Sequence, residues 1–400
     1  KIDPMKTGKA IHLVGIADVN PPALQRWGKY KTTADYKDLT RDPRVDIIVE
    51  TAGGAENGRA IMLDALKAGK HVVTANKAAI CEYGDEIFAL ADSKRLGVGF
   101  EASVCAKIPL ISYLIGEPST TGIKKVRGLV NGTTNFILTR MAEGTPYEKA
   151  LRLAQKKGFA EAKPDFDVFN RDAAQKLAIL ASLICGNVAK EKDVHAEPIN
   201  KVTITDIIAA RQFGYAIKNV ALAERHDIGL ELRVGPTLVK ERDVLASIKD
   251  EQNAVAFYSS DRDRTTPMLM SGPGAGGAPT SEAICWDIAA IARGSVGVPL
   301  SYITGGNAYA LGFGQTSSKY FLRVDAEHTP GSMSTITSIL SKYEINILRI
   351  SQQGRNGSGE TVLPVYFILD ETSGKSMSAA LADMGREPER IRGTFFMKVD

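Results

Sequence analysis

Between residues 11 and 105, short runs of β-branched and aliphatic residues alternate with segments whose apolar positions recur at helical spacing. IHLVGIAD, VDIIVE, HVVTA and GVGFEA read as strands, and GRAIMLDALKAG and EIFALADSKRLG as the helices that cross between them. Strand and helix in alternation predict a parallel α/β sheet with helices on its faces. The pattern then changes. From 106 to about 275 it is α+β, with a strand at KKVRGLVN, helices around 147–157 and 171–186, and strands at LELRVGPTLV and NAVAFYSS. A helix pattern follows at 281–293, and after it TGGNAYALGFGQTSS (304–318), rich in Gly, Ser and Thr, reads as a linker. Beyond the linker YFLRVDAE, SMSTITSILSKY, INILRISQ, TVLPVYFILD, SMSAALADMG and GTFFMKV give the element order β-α-β-β-α-β.

This organisation predicts three domains. Residues 1–105 form a dinucleotide-binding parallel sheet, completed by a helix at 281–303. Residues 106–280 form an α+β domain, and 319–400 a ferredoxin-like unit. A chain of 400 residues is long enough to bury that many cores. Its 50 Lys and Arg are interspersed with 46 Asp and Glu, and no basic stripe with interleaved aromatics marks a nucleic-acid partner. No apolar run approaches the ~20 residues that cross a bilayer. The N-terminal KIDPMKTGKA has neither a signal core nor transit character, which predicts a cytoplasmic protein. Cys81, Cys105, Cys185 and Cys285 are dispersed without a CxxC pair, so reduced, mostly buried thiols are expected and a zinc site is not.

Candidate chemistry clusters at strand ends. VDIIVETAGG puts Thr51 and two glycines where open α/β sheets bind ligands, and HVVTANK repeats the arrangement with Asn76 and Lys77. A lysine at that lip is suited to a carbonyl oxygen or a nicotinamide. The first of these turns, taken alone, reads more readily as a glycine-bearing connection without chemistry. Asp18, ending IHLVGIAD, is placed for an adenosine ribose, which favours NAD over NADP; as a turn or helix-capping residue it explains itself equally well. The helix within RDAAQKLAILASLICG is apolar nearly all round, yet carries Asp172 and Lys176 four residues apart, Lys176 on the stripe of Ile179, Leu180 and Leu183. A surface ion pair would account for the spacing. A buried lysine, however, needs a paired or functional reason, and burial that lowers its pKa fits it for proton donation near neutral pH. Glu161, Asp165 and Asp167 just upstream suit a substrate ammonium. NGTTNFILTRM sets Gly132 and Thr133 at a helix start, where backbone N–H groups hold a carboxylate or simply cap the helix. GPGAGGAPTSEA is a Gly-rich turn feeding a helix.

In this order and spacing, HVVTANKA, NGTTNFILTRM, GFAEAKPDFDV, DAAQKLAILA, VGPTLV and GAGGAPT resemble homoserine dehydrogenase from about residue 11 to 315, and EHTPGSMSTITSILSKYEINI resembles an ACT regulatory domain. The resemblance implies a Rossmann-type sheet and reduction of L-aspartate 4-semialdehyde to L-homoserine with NADP or NAD, on the route to threonine and methionine. It implies a homodimer or homotetramer and feedback by an amino-acid effector, threonine, at the ACT domain. Carried over by position, Lys176 is the proton donor, Asp172 its neighbour in the proton network, and Lys77 lies beside nicotinamide and carbonyl. Glu161 and Asp167 join Gly132 and Thr133 in binding substrate, and Thr51 and Gly276 join Asp18 and Lys77 in binding cofactor. Glu101, Val104, Ala106 and Ile108 match a loop that holds a monovalent cation, Na+ or K+, chiefly through backbone oxygens. Three departures stand out. Cys105, Ala106 and Lys107 replace glycines common in that loop, and a lysine there opposes a cation. Lys163 stands where the family usually has Asp. The family's first strand and G-x-G-x-x-G turn do not precede Asp18 in these residues. The competing functions are a catalytically silent, amino-acid-sensing ACT protein and a dehydrogenase of another amino-acid semialdehyde.

Overall fold

The computed structural model describes residues 8–116, 122–259, 267–296, 298–352 and 361–400. The reading of the extreme N-terminus falls largely on residues 1–7, outside these. The chain divides into two compact units. The first comprises residues 1–126, 174–194 and 255–308, and the second 127–173, 195–254 and 309–400.

In the first unit, Ile47–Glu50, His71–Thr74 and Val98–Gly99 pair in parallel, and Ala55–Lys67 and Lys77–Ser93 are the crossover helices. Their apolar stripes bury Met62, Leu66, Ile80, Ile87 and Phe88 around Val72 and Val73, at about 1.5–3 kcal/mol for each large side chain. The single parallel sheet expected from the pattern is interrupted. Gly15–Ala17 pairs with Lys31–Thr33 in a separate two-stranded sheet, because among the described residues no strand hydrogen-bonds to both sets. The helix expected over 281–303 is two helices, Gly277–Ala292 and Leu300–Thr304. Gly294 at φ +72° and Pro299 between them end the first and start the second. Gly277–Ala292 packs on His71–Thr74 and Val98–Gly99. Tyr302 lies against Phe88, ring centroids 4.8 Å apart, over Gly84, where a Cβ would come within 2.6 Å of the tyrosine ring.

The second unit is built on one mixed sheet. Of the ten strands in that sheet, seven run Lys125–Leu129, Tyr215–His226, Gly229–Lys240, Ile391–Val399, Ser317–Glu327, Val362–Ser373, Ile347–Gln352 in spatial order. The last four, with helices Ser332–Lys342 and Gly374–Met384, have the expected β-α-β-β-α-β chain order and pair antiparallel throughout. Residues 319–400 do not, however, separate from the rest. Ile391–Val399 joins Gly229–Lys240 in parallel through Lys398↔Thr237 and Val399↔Leu238. Side chains alternate across the strands. Tyr320, Leu322 and Val324 enter a core with Ile336, Leu340 and Met377 of the tail's own helices. Phe321, Tyr366, Ile368, Phe395 and Met397 enter a second core with Phe136, Ile137, Ile207 and Ala210. The buried Asp206 carboxylate takes Arg323 Nη1 at 2.6 Å on that second face. The expected linker is also tied down: Leu230 N donates to Tyr309 O and Leu311 N to Leu230 O, at 2.9 and 2.8 Å.

All four cysteines are free thiols. Cys81 and Cys105 are buried, Cys185 is partly so, and Cys285 is exposed, contrary to the expected burial, on the outward side of Gly277–Ala292. Among the described residues no helix is long and apolar enough to cross a membrane.

Candidate functional site

In the first unit the two strand-to-helix turns are held by one buried carboxylate. Glu50, 1% exposed, accepts from Ala52 N (2.8 Å), Thr74 Oγ1 (2.6 Å) and Asn76 Nδ2 (3.4 Å). Asn76 in turn donates to Gly54 O (2.9 Å) and caps Lys77–Ser93 by accepting from Ala79 N (3.0 Å). A Cβ on Gly58 would stand 2.3 Å from that amide, so the helix start is seated closely on Asn76. Thr51 is exposed, and Gly53 and Gly54, at φ +74° and +76°, have open space beside them. Lys77 is the first residue of its helix, half-buried. Gly276, exposed at φ +108°, precedes Gly277–Ala292. Open glycine backbone before two helix N-termini, with a lysine beside a third, fits an anionic dinucleotide. Asp18 is exposed beyond Gly15–Ala17 and accepts from Asn20 N at 2.8 Å. That is turn geometry, and it leaves a carboxylate oxygen for a ribose.

The loop expected to hold a cation is tightly folded. Val104, Ala106 and Ile108 are buried, and Cys105 and Ala106 take φ +55° and +30°, where the family's glycines would be unstrained. The Glu101 carboxylate accepts from Ile111 N (2.9 Å) and Ser112 N (2.8 Å), at the start of Leu110–Gly116. Glu101 N donates to Asp287 at 2.9 Å. Burial pushes both acids up, Asp287 to about 7, where the neighbouring Glu101 charge adds to the effect. Lys107 reaches outward to Glu282 at 3.1 Å. The Glu101 carboxylate caps a helix start, and the loop's backbone oxygens are the groups it would chiefly offer a monovalent cation.

In the second unit Asp167, expected to bind substrate, and Asp172, expected in the proton network, share one side-chain amide. Asn131 Nδ2 donates to Asp167 at 2.8 Å and to Asp172 at 2.9 Å. Its Oδ1 accepts from Thr134 N and so caps Gly132–Ala142. Gly132 is obligatory there, since a Cβ would lie 2.6 Å from Glu251 O. Thr133 is buried and its hydroxyl donates to Phe159 O at 2.6 Å, a structural bond. Glu161 is exposed, with only its backbone carbonyl engaged by Gln155 at 3.1 Å; Lys163 is exposed too. Asp172 and Lys176 are 7% and 8% exposed on Arg171–Cys185, one turn apart, so theirs is not a surface pair. The sequence marks Asn131 as a cap of its helix but gives no signal for its bonds to Asp167 and Asp172, nor for those from Thr74 and Asn76 to Glu50, because these partners are 24 to 41 residues away.

Elsewhere in this unit Glu224, His226 and Glu231 bring three possible metal ligands together. Glu231 is already ion-paired with the buried Lys398 ammonium, which opposes a cation.

These features are those of an α/β protein with open glycine backbone at helix N-termini, suited to a dinucleotide. Residues 2–101 match the family model for the NAD-binding domain of homoserine dehydrogenase, and 109–289 the model for homoserine dehydrogenase itself. The homoserine dehydrogenase of Bacillus subtilis is 36% identical over 357 residues, covering 88% of this chain and 81% of that protein. That of Pseudomonas aeruginosa is 34% identical, covering 97% and 92%. Among solved structures, a homoserine dehydrogenase from Thiobacillus denitrificans superposes with a TM-score of 0.89 at 32% identity, over 99% of this chain and 92% of that one. A hyperthermophilic archaeal homoserine dehydrogenase in complex with NADPH gives 0.58 at 26%, over 67% and 78%. The chain belongs to the homoserine dehydrogenase family and is an NAD(P)-dependent oxidoreductase.

Proposed function

We propose that this enzyme interconverts L-aspartate 4-semialdehyde and L-homoserine with Lys176 as proton donor, under feedback by threonine. The observation that carries the catalytic part is the burial of Lys176 one turn after an equally buried Asp172, on a helix face otherwise apolar. An ammonium is placed there at a desolvation cost that a structural role does not require. When bound, the nicotinamide supplies the hydride to the aldehyde carbon. Lys176 Nζ gives its proton to the aldehyde oxygen as charge develops on it, and Asp172 supports the charged lysine. Glu161, exposed, and Asp167 take the substrate's ammonium, while the backbone at Gly132 and Thr133 takes its carboxylate. Thr51, Lys77, Gly276 and Asp18 contact the cofactor.

The regulatory part rests on the β-α-β-β-α-β tail, which we read as an ACT domain. Gly331, at φ +94° before Ser332–Lys342, forms the turn of such a domain. Asn346 lines an open depression with Thr337, Ser341 and Glu344, where we place the amino acid. Pairing of two such tails would make the enzyme a dimer or tetramer.

Steady-state oxidation of L-homoserine with NAD+ and NADP+ tests the reading. Lys176→Ala is expected to lose turnover at least a thousandfold, whereas Glu161→Ala chiefly raises KM. Near-wild-type kcat in the Lys176 variant excludes it as proton donor. Calorimetry with threonine on the whole chain tests the effector, and absence of heat with an unchanged rate removes it.

A further inference from the structure

We propose that Asn131 is a positioning residue for the reaction, holding the carboxylates of Asp167 and Asp172 together and charged. The inference rests on the assignment of those two acids above. The two N–H bonds of its amide are divided between them, one at 2.8 Å to Asp167 and one at 2.9 Å to Asp172. Two carboxylates drawn to one nitrogen repel each other, and such a pair ordinarily protonates one member. Hydrogen bonds donated to the charged forms oppose that protonation. Asp167 comes from Asp165–Val168 and Asp172 from Arg171–Cys185, so one neutral side chain sets the spacing of an acid assigned to substrate and an acid assigned to the proton network. Among the described residues, the titratable groups bonded to the amide are these two acids, with Lys176 one turn beyond Asp172 on the same helix.

The amide is itself fixed from behind. Asn131 Oδ1 is held by Thr134 N at 2.8 Å, which leaves the NH2 facing the acids. Thr134 Oγ1 donates to Asn131 O and accepts from Asn219 Nδ2 at 3.0 Å. Asn219 Nδ2 also donates to Asn170 Oδ1 at 2.6 Å, and Asn170 Nδ2 donates back to Asn219 Oδ1 at 3.0 Å. Asn170 is fully buried at φ +62°, immediately before the helix that carries Asp172 and Lys176. A buried polar chain with each link satisfied is rigid. It joins the start of the Gly132–Ala142 helix to the start of the Asp172 helix, with Asn131 at its active end.

Two variants separate this role from helix capping. Asn131→Ser and Asn131→Asp both retain a side-chain oxygen for Thr134 N, but the first removes the two donors and the second replaces them with a charge. Asn131→Ser is expected to unfold within a few degrees of the wild type, and Asn131→Asp, which buries a third carboxylate beside two others, at a lower temperature but still as a folded protein. Asn131→Ser should lose ten- to a hundredfold in kcat/KM, with the acidic limb of its pH profile raised by roughly one unit. Asn131→Asp should lose more and shift further. Wild-type pH profiles and rates in both folded variants overturn the inference. If Lys176→Ala is also fully active, the assignment of the site has failed instead. A loss of rate in Asn131→Ser without any shift of the acidic limb, equal to that in Asn131→Asp, also overturns it, because the effect would then not depend on the charge of the two acids.

Discussion

Replacing Glu197 by Gln tests how charge is balanced inside the second unit. Its carboxylate meets Arg233 Nη2 at 2.6 Å and His195 Nε2 at 3.3 Å, and the Arg233 side chain is 3% exposed. Burial alone would raise the acid. The Arg233 charge and the bonds from His195 and Arg233 outweigh it and hold Glu197 at about 2, against an ordinary 4.5. That difference is worth roughly 3 kcal/mol of stability. The folded-state value is depressed, so the contribution is complete above pH ~4.5 and is lost as the pH falls through ~2. Glutamine has the shape of the protonated acid, and above pH 5 it leaves the Arg233 charge without its counterion. Urea unfolding of wild type and Glu197→Gln at pH 7, 5 and 3 is expected to give a difference of roughly 3 kcal/mol at the first two and under half of it at the third. A difference below about 1 kcal/mol at pH 7, or one that does not change with pH, would refute the reasoning. Glu197 O also accepts Asn170 Nδ2 at 2.6 Å, so a large displacement of the variant loop should appear as lost activity as well as lost stability.

Gly132→Ala forces a methyl group to within 2.6 Å of Glu251 O; it should cost about 1–3 kcal/mol and raise KM for homoserine, measured by thermal melting and steady-state kinetics. Unchanged stability and KM would mean that the helix start moves freely. Lys398→Met strands the buried Glu231 carboxylate and should destabilise by roughly 3 kcal/mol or more, whereas Lys398→Met with Glu231→Leu should recover most of that loss. Equal unfolding midpoints for the single and double variants would count against the pairing.

What the sequence discloses about the fold follows the length of each pattern. Lys77–Ser93 and Arg171–Cys185 are long and periodic, and their positions were legible to within a few residues except for the start of the first. Lys31–Thr33 is three residues of polar, mostly exposed side chain, with no alternation to read, and its pairing with Gly15–Ala17 had no signal. The tail was legible as β-α-β-β-α-β but not as part of a larger sheet. A clue was present. Tyr320-Phe321-Leu322 and Val365-Tyr366-Phe367-Ile368-Leu369 are unbroken apolar runs, and a strand with one wet face alternates instead. Such runs demand cover on both faces, which the tail's own two helices supply on only one.

The candidate site was legible where a charge contradicted its surroundings and illegible where a polar residue looked at home. Asp172 and Lys176 stood out because an apolar helix has no ordinary use for them. Asn131 did not, because an asparagine before Gly-Thr-Thr is already explained as a cap, and the cap is real. Only its oxygen is used by that explanation. The amide nitrogen carries two further donors, and a buried donor must have a partner. The same holds for Glu50, which reads as the polar last residue of a strand until its three donors are counted. A local motif accounts for part of a side chain's hydrogen-bonding capacity, and the remainder is assigned by residues distant in the chain. In this enzyme that remainder is what joins Asp167 to Asp172 and one strand-to-helix turn to the next. A residue with a sufficient local reason to be present is therefore still a candidate for the site whenever its burial leaves donors or acceptors that the local reason does not use.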